Sequence, residues 1–241
     1  MYNPASLGHF TRAQQFPELT VGTLGSVLNN ATFPLMATLQ NNSDELISTF
    51  RRLIKLSALV SFPAMVGLAV LSDDVIMVLL GEKWMPAATL LFWLALSYIF
   101  TPFSALNLNL LNAIGRSDLF MRIDFSKVPI IFATMAITFP ISLKAVVVGK
   151  AVTAFIYFYM NTFMVKRLYG FGVFKQLACC WKSIVSTIVM AFVVWILASY
   201  IENSIMALII GIIGGVAIYV AMLAILKEEE LKLFVNKAFN R

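Results

Sequence analysis

Charge is scarce in this sequence. Of its 241 residues only 12% are Asp, Glu, Lys or Arg, 60% are hydrophobic, and the mean hydropathy is +0.87. A soluble domain carries about 25% charged residues to wet its surface, so a water-soluble globule is excluded. Alternation is missing too. The apolar runs are continuous rather than in-out patterned, which argues against a membrane β-barrel. Several runs approach the ~20 residues that a helix needs to cross hydrocarbon, so the composition is that of an all-α membrane protein.

Chemically active groups are equally sparse. There is a single histidine, His9, and the only cysteines, Cys179 and Cys180, are adjacent and flanked by Lys175 and Lys182. Neighbouring cysteines close only a strained ring, and no histidine is near them in sequence, so neither a structural disulfide nor a metal site is expected. No Gly-rich phosphate loop is present. Asp73-Asp74, a close acidic pair, reads as a solvated turn. No catalytic residue, metal or cofactor is therefore expected. Residues 1–15 are polar, with no charged segment leading into a short apolar one, so no cleavable signal peptide is read there.

What is present is a set of seven helical spans, at about 16–39, 52–71, 87–112, 119–140, 145–165, 183–200 and 205–226, making one transmembrane unit of residues 1–226. Residues 75–80 are too short to cross and are expected at the interface. Turn chemistry fills the connections: Gly81, the run Gly115-Arg116-Ser117-Asp118, Gly170 and Gly172. Residues 227–241 read as an amphipathic cytoplasmic tail. Glu228-Glu229-Glu230 starts it, and Leu231, Phe234, Val235, Ala238 and Phe239 recur among Lys232, Lys237 and Arg241, the pattern of a membrane-surface anchor.

Lysine and arginine orient these spans, because positive charge is retained on the cytoplasmic side. Arg51, Arg52 and Lys55 follow the first span. Arg116, Arg122 and Lys127 follow the third, Lys166, Arg167, Lys175 and Lys182 the fifth, and Lys227, Lys232, Lys237 and Arg241 the seventh. The other side holds only Arg12, Lys83 and Lys144, a ratio of fourteen to three, with Lys150 inside the fifth span. The N-terminus is expected outside and the C-terminus in the cytoplasm. The net charge of +6 follows from this asymmetry and requires no nucleic-acid partner. An outside N-terminus without a signal peptide suggests that a further span precedes Met1.

Short motifs then carry a resemblance. Residues 7–17 (LGHFTRAQQFP) are followed in order by Phe33-Pro34-Leu35-Met36, Phe62-Pro63 with Gly67-Leu68-Ala69, Gly81-Glu82-Lys83-Trp84, and Leu111-Asn112-Ala113-Ile114-Gly115-Arg116-Ser117-Asp118-Leu119-Phe120. Over about residues 7–127 the chain resembles the polysaccharide biosynthesis and export family, the lipid-linked oligosaccharide flippases of the multidrug, oligosaccharidyl-lipid and polysaccharide exporter superfamily. The resemblance implies a bundle of about seven transmembrane helices forming the C-terminal lobe of a two-lobed alternating-access transporter. It also implies a lipid-linked oligosaccharide substrate, surrounding membrane lipids, and an N-terminal lobe missing from this sequence.

A carrier of pyrophosphate-linked lipid needs cations in a partly dehydrated cavity. Lys150, about five residues inside its expected span, either faces that cavity or snorkels to the outer surface. Arg12 is placed at the outer mouth or in a plain loop. Arg122 and Asp124 sit a turn inside the cytoplasmic end of the fourth span, either as substrate contacts or in structural pairing with Lys127 or with each other. Asn29, Asn30 and Thr32 along the first span, and Asn107, Asn109 and Asn112 along the third, must avoid lipid, either as sugar-binding amides or as interhelical glue. Gly211 and Gly215 suggest close helix packing. Three other readings compete: a multidrug-type exporter, which acidic residues within the spans would favour, though only Asp124 near an end is read there; a membrane-embedded sugar transferase or ligase, which needs a large outer loop where these are short; and an inactive gene fragment.

Overall fold

The computed structural model describes residues 3–228 and Glu230, with the side chains of residues 24–31 outside the described set. Its regular elements are all helical among the described residues: α1 (Pro4–Thr38), α2 (Ser43–Val70), α3 (Ser72–Leu79), a 3-10 turn (Glu82–Trp84), α4 (Pro86–Tyr98), α5 (Thr101–Ala113), α6 (Ser117–Thr138), α7 (Leu143–Tyr169), α8 (Val173–Cys179), α9 (Trp181–Tyr200) and α10 (Ser204–Ile225). Among the described residues five segments are long and apolar enough to cross a membrane: α2, α4 with α5 (Pro86–Ala113), α7, α9 and α10. The other two expected spans are helices as well. Arg122, Asp124 and Lys127 dilute the one in α6, while the one in α1 is diluted by polar residues such as Asn29 and Asn30 rather than by charge. Of the amphipathic tail expected over 227–241, residues 229 and 231–241 lie outside the described residues.

Local chemistry sets the helix ends. The Asn42 Oδ1 accepts the Glu45 N–H at 3.3 Å, and the Asn42 Nδ2 returns a bond to the Glu45 carboxylate at 3.2 Å, a reciprocal cap that satisfies otherwise orphaned groups. Ser142 caps α7 through the Ala145 N–H at 3.1 Å. Gly170 closes the same helix with φ 66°, a left-handed conformation that costs glycine little.

Three features depart from expectation. First, α1 begins at Pro4 rather than near residue 16. Asn3 accepts the Ala5 N–H at 3.2 Å, and Pro4 stands in the first turn, where its missing N–H does no harm. His9 and Arg12 consequently lie on a helix, and His9 packs edge-on to Trp84 with ring centroids 5.3 Å apart. Second, the expected span 87–112 is broken at Ile99 and Phe100. Pro102 has no N–H to give the Tyr98 carbonyl and its ring crowds that carbonyl, so α4 stops and α5 restarts. Third, Asp73 and Asp74 form the first turn of α3 rather than a solvated turn. Negative charge there favours the exposed amides. Burial pushes the Asp74 carboxyl above its usual range, opposed by a hydrogen bond from Ser204.

α1 packs on α4 and α5, α7 on α4, α5 and α6, and α2 joins α4 to α9, which carries α10. The core at the Thr38 end of α1 is aromatic, with Phe50, Phe103 and Phe158 fully buried and Phe100 stacked on Phe158 at 4.9 Å. The core at the Pro4 end is aliphatic, built on Leu71, Leu91, Leu94, Val147 and Val194. The close packing expected of Gly211 and Gly215 is present: a Cβ on Gly211 would meet Leu71 at 2.8 Å and one on Gly215 would meet Val194 at 3.2 Å. Large apolar side chains on α6, α9 and α10, such as Phe132, Trp195 and Ile213, remain exposed, as lipid-facing positions do.

Asn107 resolves one of the open readings. Its amide exchanges two hydrogen bonds with Gln176 of α8, donating at 3.1 Å and accepting at 2.8 Å, and also donates to the Phe103 carbonyl at 2.8 Å. Both residues are fully buried. This is interhelical glue. Replacing one member leaves the other unsatisfied, at about 1–2 kcal/mol. Asn107→Leu is expected to lower the unfolding midpoint in detergent, and adding Gln176→Leu to recover part of that loss. Strictly additive losses in the double-mutant cycle would show that the two amides do not act as a pair.

Candidate functional site: a polar cleft at a helix break

The break between α4 and α5 faces a cleft of about 380 Å³ bounded by those helices, α6 and α7. One wall is a stripe along α7, Lys150, Thr153, Ala154, Tyr157 and Asn161, whose steps of three and four keep to one helix face. The facing wall holds Tyr98, Phe100, Thr101 and Ser104 from both sides of the break, and α6 contributes Lys127. An interrupted membrane helix beside a polar cavity is how irregular backbone is tolerated at membrane depth.

Lys150 lies seven residues into α7. Its Nζ donates to the Gln14 Oε1 and to the Tyr98 hydroxyl, each at 3.4 Å, and lies 4.9 Å from the Tyr98 ring centroid. The Tyr98 hydroxyl donates in turn to the Glu18 carboxylate at 2.8 Å, and Gln14 donates to the same carboxylate. The ammonium therefore shares neutral oxygens and an aromatic face, with its counter-charge one hydrogen bond away. Charge-assisted bonds are typically about 2.7–2.9 Å. Contacts at 3.4 Å leave an ammonium with three donors able to take a better acceptor.

Lys127, assigned by the sequence to the cytoplasmic edge, is ten residues into the 22-residue α6 and so near its middle. It pairs with Asp124 at 2.6 Å and lies 5.9 Å from the Tyr157 ring centroid. Asn161 is 1% exposed, and its Oδ1 has no hydrogen-bond partner among the described residues. An acceptor buried in that way is costly unless something donates to it.

Of the residues proposed from sequence, the cleft includes Lys150. Arg12 is exposed on α1, bonded to Gln15 at 3.2 Å and 5.9 Å from the Trp84 ring centroid. Arg122 is exposed on α6, within electrostatic reach of Asp118, while its expected neighbours Asp124 and Lys127 pair with each other. Asn109 is half-buried on α5 outside the cleft lining. The side chains of Asn29 and Asn30 lie outside the described ones. Sequence reasoning passed over Lys127, Tyr98, Tyr157, Asn161 and Glu18. The spacing of Lys150, Tyr157 and Asn161 on one face of α7, and the break-forming Pro102, were the signals that could have found Tyr157, Asn161 and Tyr98.

A helical bundle with several segments apolar enough to cross a membrane and a cleft at an interrupted helix defines a class, the multi-pass α-helical membrane proteins. The fold matches the solved inward-closed structure titled Lipid II flippase MurJ with a TM-score of 0.74 at 17% identity, over 93% of this chain and 48% of that one. Sequence narrows the class: residues 1–89 match the model of the polysaccharide biosynthesis protein family. The teichuronic acid biosynthesis protein TuaB of Bacillus subtilis is 32% identical over 114 residues, 47% of this chain and 24% of TuaB. The lipopolysaccharide biosynthesis protein WzxC of Escherichia coli is 31% identical over 61 residues, 25% of this chain and 12% of WzxC. Over its first 89 residues the chain is similar to this family, the one its motifs resemble, and its matches span less than half the length of each of these proteins.

Proposed function

We propose that the chain is one lobe of a two-lobed transporter that flips lipid-linked oligosaccharide or polysaccharide repeat units across the bacterial inner membrane. In this reading a second lobe completes the cavity onto which the cleft opens. The function is binding and reorientation rather than catalysis. All seven segments cross: α1, α2, α4 with α5, α6, α7, α9 and α10. The N-terminus is outside and the C-terminus cytoplasmic, since Arg51, Arg52, Lys55, Arg116, Lys166 and Arg167 gather at the Thr38 end of the bundle.

The observation that carries the reading is the pair of lysines in one cleft, Lys150 and Lys127, beside tyrosine hydroxyls and an amide. Ammonium groups in a partly dehydrated cavity suit a diphosphate, and amides and hydroxyls suit a sugar. A second reading has one observation in its favour. Glu18 reaches the Lys150 network and Asp124 pairs with Lys127, so carboxylates stand within the spans as a cationic drug would require.

One set of variants in the complete transporter separates the two. With anionic cargo, Lys150→Gln is expected to cut export about tenfold or more at matched protein level, the scale of one charge-assisted hydrogen bond, while Lys150→Arg retains part and Glu18→Gln most of it. A cationic cargo gives the reverse, as does a lysine that merely snorkels to the surface for the Gln variant. Orientation is tested in a background with Cys179 and Cys180 replaced by serine. A cysteine at Glu202 should react with an impermeant thiol reagent in whole cells, and one at Ser117 only after permeabilisation. The opposite pattern would sink the topology.

A further inference from the structure

A second concave site lies away from the cleft and shares no lining residue with it. A cavity of about 390 Å³ sits at the Thr38 end of the bundle between α2, α8 and α9. Among the described residues four cations line it, Arg51, Lys55, Lys175 and Lys182, against a single carboxylate, Glu228. Lys182 is already engaged, with the Glu228 carboxylate at 3.4 Å and the Lys227 carbonyl at 3.0 Å. Arg51 faces the Phe171 ring at 5.2 Å. Among the described residues, Arg51, Lys55 and Lys175 form no ion pair. Three like charges around one hollow repel one another until an anion enters.

The surroundings narrow the anion. Trp181, in the cavity wall, is 50% exposed, and Phe174, which precedes the lining Lys175 on α8 and itself lines a neighbouring hollow, is 86% exposed. Aromatic side chains beside cations at a bundle end mark the level where acyl chains meet headgroups. The Cys179 thiol is also in the wall. It is drawn below its usual range first by a hydrogen bond with Cys180; burial opposes this, and Lys55 and Arg51 add to the lowering.

We propose that this cavity seats the phosphate of an anionic phospholipid, with the lipid's acyl chains lying against Trp181 and Phe174. A soluble phosphate would use the cations and leave the aromatic pair without a role; a lipid uses both. Basic pockets between membrane helices are suited to such headgroups. The assignment does not depend on what the cleft transports.

The test uses the 241-residue chain in nanodiscs of phosphatidylglycerol or phosphatidylcholine, reading alkylation of Cys179 by N-ethylmaleimide and the thermal midpoint. In phosphatidylglycerol the alkylation is expected to be roughly tenfold slower, as for a site about 90% occupied, and the midpoint higher. Arg51→Gln with Lys55→Gln should abolish the difference. Lys175→Gln, at an exposed position that spares the fold, should reduce it. Equal protection in Lys175→Gln and the unsubstituted chain would overturn the site. Full protection by inorganic phosphate in phosphatidylcholine discs would overturn the lipid as its source.

Discussion

A lysine carried into a membrane helix has to be kept wet or given partners, and much of this lobe is arranged around how Lys150 meets that demand. Its placement at the bilayer centre would cost roughly 2.5–3.5 kcal/mol on insertion scales, and less nearer an end. Seven residues into α7 is about 10 Å by helical rise, so snorkelling is open to it on length alone. The side chain instead turns to Tyr98 and Gln14. Those two are in place because α1 runs as helix from Pro4, bringing Gln14 and Glu18 alongside α4, and because α4 ends at Tyr98. The proline that ends α4 therefore bears directly on the site: a continuous helix through residues 99 and 100 would remove the break that the cleft faces.

Two polar clusters of different character follow from the same solvent. Asn107 and Gln176 satisfy one another completely, in a closed arrangement that fixes α8 under the bundle. Around Lys150 the contacts are long, and Asn161 presents an unmet acceptor on the same cleft. A closed amide pair locks a fold, while an open, under-satisfied set is suited to bind.

How far these features could be read in advance depended on the signal each leaves in the chain. Hydropathy located the long helices, and glycine marked several of the turns between them, because backbone satisfaction in lipid leaves little freedom. Charge counting placed Lys127 on the cytoplasmic edge because it weighs sequence distance from a span boundary. The helix carries that residue to its midpoint, where Asp124 on the adjoining turn neutralises it. Glu18 was passed over because a residue near the start of an expected span looks exposed. Only the packing of α1 against α4 brings it to the Tyr98 hydroxyl. Arg12 and Arg122 had the right charge on a helix face that does not line the cleft, a matter of rotation about the helix axis that boundaries accurate to a few residues do not fix.

The most direct test of the central claim is to ask what occupies the cleft. A photoreactive residue in place of Ala154, on the α7 wall between Lys150 and Asn161, would be activated in cells expressing the complete transporter and making its polysaccharide. The account predicts an adduct carrying saccharide and lipid, lost when synthesis of the repeat unit is blocked. Adducts with bulk phospholipid alone, unchanged by that block, would contradict it.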